Sequence, residues 1–414
     1  MKAPVPAIDH ELSPVLLLAG LTVGGWMACV IWPRVLIALG IASYGMWYLD
    51  SYAVLATLDA LRAGISPDAP NPLDPLHRNH VYSDWWFALR GLGLGRQHNF
   101  LLGTSWVASF AVAAWTTARP RNFRETAWMA VLLLSPPVLL AVHRANNDLL
   151  IFVLLAVCGV GAAGTSWGRR VVGLGALTLA TGLKFYPAVA AAAFLWSRPV
   201  RRMPLMVLLG LLVAAGTLAS VWSQVARGQF DFAPTLHTIG APILWRDLGW
   251  SRPGSFVLGA GLLVVTAVVL AGTKCTTGLA GPGPVAERLL AALGGTVVLA
   301  CFVAGASFAY RLVFALWFGL WVWRQAWSTS VTRRQILTAR LGCVLLFCCF
   351  WLDGILCVLV NQVLPAVDPT KFEALQHTWR LCTQPLQWLM MMLIAGWLLE
   401  AALALGREWL ADRR

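Results

Sequence analysis

Asp50 closes the first long apolar stretch of this chain, directly after Trp47, Tyr48 and Leu49. A carboxylate at such a boundary, partly removed from water, is expected to have a raised pKa and to accept a proton from a sugar or lipid hydroxyl during attack. Its other reading is a cap for the helix that follows. Asp59 offers a second carboxylate, equally well explained by solvent or by pairing with Arg62. A polar turn, His143-Arg144-Ala145-Asn146-Asn147-Asp148, joins two apolar stretches. Arg144 suits a phosphate oxygen, Asn146 and Asn147 suit sugar hydroxyls, and Asp148 suits either the orienting of Arg144 or the capping of the next helix. Lys184 precedes Phe185-Tyr186-Pro187, where proline breaks a helix. A lysine there either snorkels to the headgroups or meets an anion. Arg311, after Ser307-Phe308-Ala309-Tyr310, has the same two readings. Two cations approaching one outer cavity suit a phosphate diester or pyrophosphate leaving group.

Other patterns carry little. Gly91-Leu92-Gly93-Leu94-Gly95 lacks the preceding strand of a dinucleotide fold, and His77-Arg78-Asn79-His80 alone is a weak metal signal. The nine cysteines sit mostly within apolar segments, with no C-x-x-C pair and no Cys/His ligand spacing. No metal and no cofactor is implied.

The elements that must position these side chains are set by composition. The 414 residues are 59% hydrophobic and 12% charged, with a mean hydropathy of +0.71. No soluble core buries that much apolar surface, so the chain is expected in lipid. Stretches able to cross the hydrocarbon layer recur, among them Leu16 to Ile31, Trp128 to Val142, Leu205 to Val221, Phe256 to Leu270 and Leu289 to Val303. The first apolar run has no obvious cleavage site and reads as an uncleaved anchor. The net charge of +13 is scattered in short clusters between these stretches, which argues against a nucleic-acid partner.

Basic clusters mark every second connection: Arg119/Arg121/Arg124, Arg169/Arg170, Arg198/Arg201/Arg202, Lys274/Arg288, Arg324/Arg333/Arg334/Arg340 and Arg407/Arg413/Arg414. These are expected on the cytoplasmic side, and the longer, acid-rich connections, such as Asp50 to His98, Gln224 to Arg252 and Asp353 to Arg380, outside. The alternation predicts an all-α bundle of about 12 spans, and the length from Leu16 to Leu49, with Arg34 midway, leaves room for about one more. Residues 1–414 read as a single membrane domain, and Gly278 to Pro284 as a turn. Within the first outer loop, Val54, Leu55, Leu58 and Leu61 oppose Asp59 and Arg62, as in a helix lying on the membrane surface. The Ser66 to Pro75 stretch breaks it, and Tyr82 to Phe87 anchors a second such helix, together roofing an outer cavity. A transporter or lipid flippase is the alternative, but it predicts internal repeats and midplane charges that are not seen here. A non-catalytic membrane scaffold is a third reading.

Four stretches resemble the GT-C superfamily of polyprenyl-phosphate-sugar-dependent glycosyltransferases, and within it glycosyltransferase family 87, which includes bacterial α-mannosyltransferases. HRANNDLLIFVLLAV (143–157) is similar to the family's Arg-Gly-Asn-x-Asp turn, and GLGALTLATGLKFYPAVAA (173–191) to its A-x-x-x-K-x-Y-P segment. SFAYRLVFALW (307–317) is similar to its late Y-R-L-I-F helix start, and YLDSYAVLATLDALRAGISP (48–67) to the acidic opening of its first outer loop. The resemblance implies Asp50 as catalytic base and places Lys184 and Arg311 near the donor phosphate. Arg144, Asn147 and Asp148 fall on the polar turn. It also implies a polyprenyl-phosphate sugar as donor, mannose foremost, and a lipid or glycan acceptor. The implied site is multi-pass, in a bacterial inner membrane and facing outward among membrane lipids. The chain departs from the family pattern where Ala145 and Asn146 stand at the turn's glycine and where SPDAPNPLDP (66–75) replaces a tyrosine-rich loop segment. His237, Arg246 and Asp247 are weak candidates for acceptor or donor contacts.

Overall fold

The computed structural model describes residues 9–41, 46–80, 82–192, 194, 204–222, 237–250, 252–276, 284–305, 307–359 and 369–411. Arg198, Arg201 and Arg202, the 224–236 part of the Gln224 loop, the turn at 278–283, Asp368, Arg413 and Arg414 lie outside the described residues.

The chain is helical almost throughout. It begins with α1 (Asp9–Ile31) and α2 (Arg34–Ala38), then α3 (Leu49–Arg62), α4 (Asn99–Ala118), α5 (Phe123–Leu133) and α6 (Pro136–Arg144). There follow α7 (Asp148–Ala163), α8 (Trp167–Leu183), α9 (Pro204–Ser220), α10 (Ala241–Asp247) and α11 (Arg252–Gly272). The last are α12 (Val285–Ala304), α13 (Ala315–Ala326), α14 (Arg333–Val358) and α15 (Pro369–Ala411). Short 3-10 helices at Asp84–Leu92, Tyr186–Ala191 and Ala309–Phe314 fall at the connections. Among the described residues the β structure is one antiparallel pair, β1 (Thr238–Ile239) with β2 (Ser307–Phe308).

Among the described residues five helices are long and apolar enough to cross a bilayer, six if α5 and α6 form one bent span, and three more are apolar but shorter. Their outward faces are apolar: Leu16, Val30, Val257, Val264 and Val268 are among the exposed large side chains. This suits lipid, since water would penalise such a surface. Length and apolarity alone do not reach the span count expected from charge alternation. The Leu16 to Leu49 stretch carries one long helix; Pro33 ends it, and α2 has only five residues.

Local sequence explains the helix ends. Asn122 accepts from the Glu125 amide (3.0 Å) to cap α5, Ser166 caps α8, and Thr332 and Gln335 form a reciprocal capping box on α14. Between α5 and α6, Pro136 supplies no N–H and the axis turns by 58°. At the centre Phe152 of α7 stacks on Trp317 of α13 at 4.0 Å and meets Phe110 of α4 at 4.9 Å. Gly161 and Gly173 let α7 and α8 touch backbone to backbone: a Cβ on Gly161 would come within 2.8 Å of the Gly173 Cα.

The two ends of the bundle differ chemically. At one, Arg324 of α13 pairs with Glu125 of α5 (2.8 Å) and Glu287 of α12 (2.7 Å), while Arg121 reaches the same Glu287 (2.9 Å). Arg324 also donates to the Arg119 carbonyl just beyond α4 (2.9 Å). Four helix ends are thereby tied by a charge-balanced knot. The candidate site is carried by other helix ends: the starts of α3 and α7, the ends of α6 and α8, and the 309–314 helix that leads into α13.

The Asp50 to His98 connection departs from the expected surface helix. Most of α3 is buried, including Asp50, Val54, Leu55 and Leu58, because it is enclosed by α4, α6 and the 84–92 helix. The 84–92 helix does lie at the surface, with Trp85 and Leu92 exposed and Trp86 inserted to donate to the Leu183 carbonyl (3.2 Å). Residues 369–380, expected as loop, belong to α15, a 43-residue helix that continues through Pro385.

Candidate functional site

Two turns dock to build the first half of the site. Tyr48 adopts a left-handed conformation (φ 65°) and donates its amide to the His143 carbonyl (2.8 Å), which sets the α3 start against the α6 end. Ala145, also left-handed (φ 40°), closes α6 and swings Asn146 back. Asp50, in the first turn of α3, is 2% exposed. It accepts from Arg144 Nε (2.9 Å) and Nη2 (2.7 Å), a bidentate pair, from Asn146 Nδ2 (2.6 Å) and from Arg78 Nη1 (3.2 Å). The α3 N-terminus adds a favourable dipole.

This corrects the expectation of a raised pKa. Burial does push the Asp50 carboxyl up, but the charges and hydrogen bonds of Arg144, Arg78 and Asn146 outweigh it, and the group settles at about 2 rather than 3.8. Asp50 is therefore a firmly ionised acceptor with its lone pairs in use.

The second half centres on Asp148, the first residue of α7 and fully buried. One carboxylate oxygen takes both the Lys184 ammonium and the Tyr186 hydroxyl (2.6 Å). Lys184 thus meets an anion rather than snorkelling, and Asp148 orients Lys184 rather than Arg144. The other oxygen, Oδ2, lies 3.9 Å from Arg311 Nε, too far for a hydrogen bond, and both atoms lack a hydrogen-bond partner. The Arg311 guanidinium lies over the Tyr186 ring at 5.2 Å, and Lys184 Nζ is 5.8 Å from the Tyr82 and Tyr186 rings.

Between the halves stands Asn147, fully buried, with neither atom of its side-chain amide hydrogen-bonded. Buried amides ordinarily find partners, so this one is an outlier that marks a place for a ligand or water. Its neighbour Asn146 is spent on Asp50 and on capping the Asp148 amide (2.9 Å). The cluster holds four cations, Arg78, Arg144, Lys184 and Arg311, against three carboxylates, Asp50, Asp74 and Asp148, an excess of one positive charge.

The remaining sequence candidates lie elsewhere. Asp59 accepts from Arg62 (2.8 Å), from Arg96 Nε (2.9 Å) and from the Arg96 amide (3.1 Å), fastening the loop after the 84–92 helix to α3. His237 is left-handed (φ 61°); its Nε2 meets the Leu39 carbonyl (3.1 Å) and its own carbonyl accepts from Ala309 (2.7 Å). It supports the 3-10 helix that carries Arg311. Asp247 pairs with Arg380 (3.0 Å).

Arg78 and Asp74 were not legible as site residues. Asn71 and Asp74 each accept a backbone amide two residues on, and these successive turns aim Arg78 at Asp74 (2.8 Å), Asp50 and the Leu49 carbonyl (3.0 Å). The available signal was the Asp74/Arg78 spacing, which suits an ion pair. By sequence Tyr82 reads as an interfacial anchor and Tyr186 as part of a helix break. Among the described residues no three His, Cys, Asp or Glu side chains converge as metal ligands. No family model, curated protein or solved structure matches the chain.

Proposed function

We propose that the chain is a GT-C-type membrane glycosyltransferase that moves a sugar, mannose foremost, from a polyprenyl-phosphate donor to a lipid or glycan acceptor on the non-cytoplasmic face. The observation that carries this reading is the single excess cation in a cluster of buried and half-buried charges, with Arg311 loosely paired to Asp148, whose sequence neighbour Asn147 has a buried amide without a hydrogen-bond partner. A lipid-linked sugar phosphodiester carries one negative charge and hydroxyls next to it, and answers both deficits. The apolar helix faces around the cluster suit the isoprenoid tail.

In this mechanism the acceptor hydroxyl approaches Asp50 by displacing Arg78, its most distant and most exposed partner. Removing one guanidinium raises the basicity of Asp50, which takes the hydroxyl proton as the acceptor oxygen bonds to the anomeric carbon. The bond from that carbon to the phosphate oxygen breaks and its electron pair stays on the phosphate. Arg311, with Lys184 behind it, meets the second negative charge, and no metal or nucleotide is required. About 12 spans, basic connections inside and the site facing out of a bacterial inner membrane complete the proposal.

The test is incubation of the purified protein with radiolabelled polyprenyl-phosphate sugars and membrane lipid extract. Label in a new product that disappears with Arg311→Ala supports the reading. Label that only changes leaflet in sealed vesicles would favour the flippase.

A further inference from the structure

A second group of buried polar atoms lies on α15 and the elements packed against it. Gln384, Gln387 and Trp388 share one face of α15. The Trp388 ring meets Trp245 of α10 at 5.7 Å and Phe302 of α12 at 5.1 Å, and both indoles lie against Gly259 of α11, where a Cβ would come within 2.6 Å of the Trp388 ring and 3.3 Å of Trp245 Nε1. Gln384 donates to the Thr238 carbonyl (3.3 Å) in β1, and β1 leads through Gly240 into α10, so α10 closes over this face. Gln384, Gln387 and Trp388 are at most 3% exposed. The side-chain carbonyl oxygens of both glutamines and the indole N–H groups of both tryptophans are buried, and none has a hydrogen-bond partner.

Buried indoles and amides normally find partners, and four such atoms left open in one seam is a pattern that calls for a ligand. The set is two acceptors and two donors, all neutral. A hydrocarbon tail would satisfy none of them. An anion would lack a cation, since Arg380, one turn away, is committed to Asp247 at 3.0 Å. A sugar ring fits the chemistry: each hydroxyl both donates and accepts, and the C–H face of the ring packs on an indole. We propose that the seam between α10, α11, α12 and α15 binds a neutral sugar ring of a glycan-bearing acceptor.

The assignment to an acceptor rests on the transferase reading; the sugar-binding chemistry does not. Position supports it, because β1 pairs with β2, whose Phe308 precedes the Arg311 helix, so the seam adjoins the cation set against the donor phosphate. Entry requires α10 to move: it is bounded by Gly240 (φ 154°) and Gly249 (φ 81°), conformations that favour glycine, and carrying Trp245 away from α15 also opens the Asp247–Arg380 pair that ties the two helices.

The test uses the full chain in nanodiscs, labelled with 5-fluorotryptophan, with Trp245→Phe and Trp388→Phe variants to assign the two fluorine resonances. The probe is hexyl α-D-mannopyranoside, with hexanol as control. Saturable shifts of both resonances with the glycoside alone, weakened about tenfold in Gln387→Leu, are expected for the loss of one polar partner. Equal shifts with hexanol would reduce the seam to an apolar gap. No shift, or full binding in Gln387→Leu, would mean that water satisfies these groups, and would overturn the proposal. Because binding is read without turnover, sugar binding by a chain with no transferase activity would sink the transferase reading alone, and transfer without fluorine shifts would sink only this one.

Discussion

Replacing Asp50 by asparagine disturbs two things at once, and the geometry allows them to be separated. The carboxylate accepts two hydrogen bonds from Arg144, one from Arg78 and one from Asn146. An amide turns one acceptor into a donor facing a guanidinium, and leaves Arg144 without a counter-charge at 17% exposure. Breaking such a pair costs about 3–5 kcal/mol in stability. Loss of a general base costs about 10²–10⁴-fold in rate, or about 2.7–5.4 kcal/mol of barrier. A single Asp50→Asn variant therefore loses activity under either reading. Arg144→Met separates them, because it leaves Asp50 ionised, held by Arg78 and Asn146, and more basic than before. Expected are a loss of under about tenfold for Arg144→Met against at least about 100-fold for Asp50→Asn. The double variant should fold better than the sum of its parts, by about 3 kcal/mol, while transferring no faster than Asp50→Asn. Melting in detergent and initial rates on radiolabelled donor give both readouts. Equal losses in the two single variants, unchanged in the double, would assign Asp50 to holding Arg144 and refute proton acceptance.

The same carboxylate sets an acid limit: its folded pKa is depressed to about 2, so its stabilisation is full above the unfolded value near 4 and is lost as pH falls toward 2. Wild-type melting should drop through that window more steeply than that of Asp50→Asn. Arg311→Ala should raise the donor KM with little change in melting, whereas Lys184→Ala strands buried Asp148 and should cost about 3–5 kcal/mol, partly recovered in Lys184→Met with Asp148→Asn; normal donor affinity in Arg311→Ala would remove it from the phosphate site. Arg324→Met at the far end should destabilise by a similar amount and leave the donor KM of the folded fraction unchanged, and a raised KM would mean that the two ends are coupled. In a background without native cysteines, an impermeant thiol reagent on intact cells should label Ser66→Cys and spare Ser166→Cys; the reverse pattern inverts the topology.

The polar turn was legible because six consecutive residues between apolar stretches are mostly polar, and Lys184 because a tyrosine and a proline follow it at a helix end. Their partners were not. Asp50 reads as a buried carboxylate from its neighbours in sequence, and burial alone argues for a raised pKa. The approach of Arg144 and Arg78, with the Asn146 hydrogen bond, reverses the sign, and all three come from elsewhere in the chain. Arg78 in particular depends on two side-chain-stabilised turns in a proline-rich stretch, where periodicity carries no signal. The span count was harder for a related reason. Hydropathy marks apolar stretches, but α7, α8 and α13 stop at 16, 17 and 12 residues, because the chain breaks on the charged cluster before a full bilayer width. Enclosure of α3 follows from tertiary contact with α4 and α6, which its amphipathic pattern does not encode.

The bend between α5 and α6 has an electrical consequence. Over its nine residues α6 is about 13 Å long, but at 58° it advances only about 7 Å along the α5 axis, leaving the Arg144 turn about 6 Å short of where a straight helix would end. With α5 upright in a layer roughly 30 Å thick and the turn on the outer face, as proposed, an anion drawn to it from outside would cross about one fifth of the membrane field. An inside-negative potential of about 100 mV opposes the step by about 0.5 kcal/mol, so an energised membrane should hold a phosphate donor roughly twofold less tightly than a depolarised one.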